Sequence, residues 1–236
     1  MGPETTFVAN GRAPYFFHLS RRPAQAVRRR RVANVDSDLS ESIAALRRAF
    51  EKAGQTPQLG QASPELLDRL KERFRVPRRY RGFLKACDPL GVEIATPIER
   101  VELIAAADLE REQVGYAASE RGELITAPSE AGWRSSWIII ARSGLLGDPY
   151  FLDVSKADAE GDCPVYTAMS GTEAWQPKLC ASTFATFLRI LAINLEVACD
   201  FDIDDYDADN ERVFREAVAP RIREYDPAAV KAGHWT

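Results

Sequence analysis

Residues 137–154 read WIIIARSGLLGDPYFLDV, and this stretch decides how the chain folds. The opening run WIIIA is apolar and β-branched, with the length of a buried strand rather than of a helix. SGLLGDP then supplies the glycine-containing chemistry of a hairpin loop, and YFLDV reads as a second strand. A polar loop, SKADAEGD at 155–162, separates this pair from a third strand candidate at 164–168. Upstream, 92–94 and 101–104 are further candidates, the second leading into a charged helix around 108–114. Successive strands joined by short polar links predict an antiparallel meander.

Helical periodicity surrounds this core. Ser63-Pro64-Glu65 is a capped helix start, with Leu66 or Leu67, Leu70 and Phe74 on one face. Pro77 opens a second helix carrying Tyr80, Phe83 or Leu84, and Cys87, closed by Asp88-Pro89. After Ser182, a stripe of Phe184, Phe187, Leu188, Leu191, Leu195 and Ala198 marks a long amphipathic helix. From Asp36, Leu39, Ile43, Leu46 and Phe50 share a face that Gly54 ends, and 56–62 reads as a linker. Residues 1–35 read as irregular. Beyond the long helix, 211–225 is helical around Phe214, Val218, Ile222 and Tyr225, with Pro220 inside it, and Asp226-Pro227 starts a short helix ending at Gly233. Helices, then strands, then helices, without βαβ alternation, predict an α+β fold: an antiparallel sheet flanked by helices, with an N-terminal extension and extra C-terminal helices. The expected divisions are a basic arm plus amphipathic helix (1–60), the α+β domain (61–199), and an acidic loop with C-terminal helices (200–236).

The 236 residues are 45% hydrophobic and 28% charged, an ordinary globular composition, and no apolar run is long enough to cross a bilayer. Arg12, Arg21 and Arg22 break up any secretory h-region. Four scattered cysteines without a C-x-x-C pair suit free thiols in a reducing compartment, so the expected location is cytoplasmic. Charge is unevenly spread. Seven arginines and one acidic residue occupy 1–35, whereas 196–209 holds seven carboxylates and no Lys or Arg. The run Arg28–Arg31 lacks interleaved aromatics and sits on an acidic protein, which argues against direct nucleic-acid binding.

Chemistry-bearing groups are few. The two histidines, His18 and His234, lie in the extensions, and no phosphate loop, nucleophile elbow or zinc-protease motif is present, so neither catalysis nor a cofactor is expected. Twelve residues, DFDIDDYDADNE at 200–211, carry no basic side chain. On an EF-hand loop, Asp200, Asp202 and Asp204 take positions 1, 3 and 5 and Glu211 position 12, but Asp205 stands where the turn wants glycine, so no metal site is assigned. Alternatively, Asp200, Asp202, Asp204, Asp205, Asp207 and Asp209 present a phosphate-like surface to a basic partner, with Phe201, Ile203 and Tyr206 as apolar anchors. A solvated acidic helix–helix connection, with or without pairing to the N-terminal Arg run, is the third reading. Trp133 and Trp175, in loops, are candidate interface aromatics, with a covering role as the alternative, and Asp148 and Asp153 are candidates for a recognition face, although turn-capping is the commoner job of such residues.

The order of features from Pro64 to Leu191 resembles the SUKH superfamily, which includes Smi/Knr-type cell-wall regulators and bacterial immunity proteins. The residues carrying the resemblance are Val76-Pro77, Tyr80/Phe83/Leu84, Gly147-Asp148, Leu152-Asp153, Val165-Tyr166 and Ser182/Phe184/Phe187/Leu188. One departure is Asp88-Pro89-Leu90-Gly91, where the family often has Asn-Gly. The resemblance implies a non-catalytic binding protein that sequesters a cognate protein toxin, a basic nuclease domain being the expected kind, or else a regulatory interaction scaffold. It leaves the oligomeric state open.

Overall fold

A computed structural model describes residues 1–2, 24–129, 132–171, 173–203 and 207–236, with the side chains of the first helix described from Ser37 onward. Strands β5 (Trp137–Ser143) and β6 (Pro149–Asp153) form the predicted hairpin and lie at the centre of a six-stranded sheet. β3 (Val92–Ala95) and β4 (Arg100–Leu103) precede them, and β7 (Val165–Thr167) and β8 (Lys178–Ala181) follow. Strand order is β3-β4-β5-β6-β7-β8, each antiparallel to the next. The α+β meander expected from the sequence is the fold. A separate two-residue pair, β1 (Leu59–Gly60) with β2 (Asp88–Pro89), ties the 56–62 linker to the end of the second helical hairpin arm.

Residues 137–141 and every residue of β6 are buried, so the hairpin needs a cover on both faces. Helices cover one. α2 (Pro64–Phe74) starts as predicted, Ser63 Oγ accepting from Leu66 N at 3.2 Å. α3 (Arg78–Cys87) and α5 (Phe184–Ala198) bring Tyr80, Phe83 and Phe184 into one aromatic group with ring centroids 4.9–6.2 Å apart. α5 is apolar almost all round because it is enclosed by the sheet and by other helices. Among these is α1 (Ala24–Lys52), which starts well before Asp36 and takes in Arg28–Arg31. The expected irregular segment is therefore helical from Ala24: AQAVRRRR contains only good or neutral helix formers and no breaker.

The opposite face is covered by the long β4–β5 connection. α4 (Leu109–Glu112) sets Gln113, fully buried, against the edge of β5 just beyond the end of β4. The Gln113 amide nitrogen donates to Ile139 O and Leu109 O, and its Oε1 accepts from Ile139 N, all at 3.0 Å. One side chain thus continues the ladder that β4 abandons, satisfying backbone groups that would otherwise be buried unpaired.

The C-terminal helices complete the core. α6 (Ala208–Tyr225) buries Phe214, Val218 and Ile222; Tyr225, expected on the same face, is instead exposed beneath Arg189. α7 (Pro227–Ala232) is capped by Asp226, which also accepts from Ser182 N and Oγ. The chain then turns at Gly233, whose φ of 71° suits glycine, and places Trp235 in the core. The indole N–H donates to Cys180 O at 2.8 Å, and Lys178 Nζ donates to Gly233 O, so β8 is bracketed by the last residues. β8 has no counterpart in the sequence reading, because KLCA is short and mixed in character.

Beside Trp235, His234 Nε2 lies 2.9 Å from Tyr150 Oη, which also bonds Glu99 at 3.0 Å. Because the phenol O–H donates to Glu99, the phenol oxygen accepts from the imidazole Nε2–H. Burial, then the positive charges of Lys178 and Arg215, push the His234 pKa down to about 3. Below pH 6.5 an unfolded chain therefore takes up a proton that the native chain refuses, and stability falls as pH drops toward 3. The ring retains some solvent contact, so the expected loss between pH 7 and pH 5 is about 1 kcal/mol rather than the roughly 2 kcal/mol of a fully buried group. In urea titrations His234→Phe is expected to flatten this acid limb; an unchanged slope would assign it to other groups.

Candidate partner-binding surfaces

Of the side chains that the sequence nominates for recognition, four belong to the sheet and its cover. Trp133 is 2% exposed, with ring centroids 4.8–5.3 Å from Tyr116, Trp137, Phe151 and Trp175. It is the hub of the layer that seals the outer face of β5 and β6, not an interface aromatic. Gly132 places it there with a φ of 84°. Trp175 is half-buried at the rim of that cluster, 5.7 Å from Tyr116, and keeps one edge toward solvent.

Asp153 is 1% exposed and likewise does not present a carboxylate to a partner. It accepts from Ser155 N and Oγ and from Ser136 Oγ, and so caps the single 3₁₀ turn after β6. Burial works to raise its pKa, but the serine hydroxyls, the Ser155 N–H and Lys156 outweigh burial and hold it below the usual carboxylate range. Asp148 accepts from Ser170 N at 2.7 Å, tying the β5–β6 hairpin tip to the loop after β7. That link gathers an apolar group missing from the sequence reading: Leu146 and Met169 are 72% and 64% exposed, with Leu145 beside them. The signal was present in SGLLGDP, where two leucines occupy a tip that turn chemistry would fill with polar residues.

The acidic segment follows the C-terminal end of α5. Asp200, Asp202, Asp207 and Asp209 are exposed, while Asp204, Asp205 and Tyr206 lie outside the described residues. Phe201 and Ile203 face inward and are half-buried, Phe201 meeting Phe214 edge-on at 5.3 Å, so neither serves as an outward anchor. Among the described residues of the segment, the carboxylates point out and the two apolar side chains point in. At the would-be final position of a calcium loop, Glu211 is engaged by Arg215 at 2.8–3.0 Å, and among the described residues no three His, Cys, Asp or Glu are grouped to hold a metal ion.

Within one chain the direction of α1 carries residues 28–31 away from the described part of this segment. Asp38 and Glu41 lie near Thr186 and Arg189 at the start of α5, and Lys52 Nζ donates to Glu196 O near its end, so α1 and α5 are parallel. Residues 28–31 are then on the order of 30 Å from Lys52 along α1, at 1.5 Å per residue, beyond the opposite end of α5 from the aspartates.

The helical hairpin, six-stranded meander and closing helix span the region matched by the model of the SMI1 / KNR4 family (SUKH-1), residues 61–190. The chain belongs to the SMI1 / KNR4 family. The match covers more than half of the chain, from the residues before α2 into α5, and leaves out α1, α6 and α7. No curated protein matches this SMI1 / KNR4 chain. No helix among the described residues is long and apolar enough to cross a membrane.

Because Trp133 is a hub and Trp175 a rim residue, their truncations are expected to separate. Trp133→Ala should cost about 3–5 kcal/mol in urea denaturation, and Trp175→Ala about 1 kcal/mol. Equal and small losses would contradict the assignment of Trp133 to the core.

Proposed function

We propose that this SMI1 / KNR4 family member is an immunity-type binding protein, one that sequesters a basic toxin domain, a nuclease for preference, by occluding its active surface. The observation that carries the reading is the set of exposed aspartates at the α5–α6 turn, Asp200, Asp202, Asp207 and Asp209, the last of them met by Arg212 at 3.4 Å. A nuclease must hold a positive groove for phosphates, and clustered carboxylates raise the rate of encounter with such a groove. Withdrawal of Phe201 and Ile203 into the fold makes the contribution of this turn electrostatic, so it acts on association more than on dissociation. Contact area would come from elsewhere on the surface.

A second reading, a regulatory scaffold, is favoured by a different feature, the exposed Leu145, Leu146 and Met169 at the sheet end. A partner seated there would bind through apolar area and depend little on salt.

The two are separated by capturing partners at low salt, identifying them by mass spectrometry, and following association by stopped flow. For the immunity reading, a basic domain is recovered, and Asp200→Asn with Asp202→Asn and Asp209→Asn slows association about tenfold at low salt while flattening its salt dependence. Binding indifferent to those substitutions but lost in Leu146→Ser with Met169→Ser would replace it with the scaffold reading.

A further inference from the structure

Away from both surfaces, a cavity of about 330 Å³ opens between α1, α3 and the first turn of α5. Its volume is far above the ~10–15 Å³ that one water needs. On its lining, Arg79 is 4% exposed, and its Nε and Nη1 have no hydrogen-bond acceptor among the described residues. The nearest carboxylate oxygen, Asp162 Oδ2, is 3.9 Å from Nε, near enough to balance charge but too far to accept. Asp162 is occupied elsewhere. It accepts from Cys163 N and Phe184 N at 2.8 and 2.7 Å and from Ala185 N at 3.4 Å, capping α5. Thr183 Oγ accepts from Thr186 N, so the first N–H groups of α5 are taken as well. What remains unsatisfied on the lining is a buried guanidinium, and leaving such donors without an acceptor is costly.

The rim has the opposite character. Asp38 and Glu41 from α1 and Asp158 from the β6–β7 loop are exposed around the mouth, with Glu160 half-exposed beside them. Tyr225, carrying Arg189 over its ring at 4.9 Å, completes the lining. A simple anion would meet the carboxylates first, and a simple cation would leave Arg79 unmatched. A ligand with an anionic oxygen at one end and a cationic group several bonds away satisfies both.

We infer that this cavity binds a small zwitterion of the basic amino-acid class, its carboxylate on Arg79 and its side-chain cation among Asp38, Glu41 and Asp158. The arrangement does not depend on the α5–α6 turn or on any toxin, so the site stands or falls independently of the immunity reading.

The test uses the full chain and calorimetric titration with L-arginine, with agmatine, which lacks the carboxylate, as comparison. L-Arginine is expected to bind and agmatine to bind at least tenfold more weakly. Glu41→Gln, on the exposed rim, should weaken L-arginine severalfold with an unchanged melting temperature. Arg79→Lys keeps the charge but not the fork, and should abolish the preference for L-arginine over agmatine. Equal binding of the two compounds to the native chain would reduce the site to an acidic patch and overturn the proposal. Absence of heat with both would leave the cavity to solvent and overturn it too.

Discussion

Burial of the β5–β6 hairpin on both faces is the constraint from which the rest of the architecture follows. An antiparallel sheet in a small domain commonly leaves one face to water. Here Tyr150 packs toward Phe187 and Trp235 while its neighbour Phe151 packs toward Trp133 and Trp137, so each face requires its own cover. The helical cover comes from α5 and the helices around it. The other comes from the β4–β5 connection, which has almost no regular structure of its own. It is held by specific contacts: Gln113 on the Ile139 backbone, Glu112 on Arg142 at 2.6 Å, and Trp133 in the aromatic cluster. Hydrogen bonds fix the position of this cover, and aromatic area supplies its free energy.

That same constraint separates the surfaces available for recognition. Because the large aromatics and Asp153 are consumed in covering the sheet, the features left outside for recognition include the aspartates beyond α5 and the leucine-bearing hairpin tip. The parallel run of α1 beside α5 carries the arginine-rich turn of α1 away from the described aspartates, an asymmetry along the axis of α5. Such asymmetry is a property of association kinetics and partner choice rather than of stability.

The sheet from β3 to β7 was legible because WIIIA, YFLDV and PVYTA carry strand propensity between unambiguous turns, and the α5 stripe and the Ser63 cap were legible because they are local. Features that depend on distant partners were not. β8 is a strand because β7 and Trp235 bracket it, and Gln113 matters because β4 happens to end where it arrives. Trp133 could be read as an interface aromatic or as a cover because it lies in a loop, and loops that cover a second buried face cannot be told from exposed ones by composition. Arg79 offered no signal at all, since in RRYRGF it is one arginine among three, and only the fold buries it.

α6, α7 and Trp235 form one core with the family region, although the family match ends at residue 190. The most direct test is equilibrium urea unfolding of a chain ending at residue 199, followed by near-ultraviolet circular dichroism and compared with the full chain. Without Phe214, Val218, Ile222 and Trp235, α5 and β8 would expose the apolar surface those side chains bury. The expected result is loss of the aromatic signal and of a cooperative transition. A shortened chain that kept the aromatic spectrum and unfolded at the same urea midpoint would contradict the dependence of the sheet on its C-terminal cover.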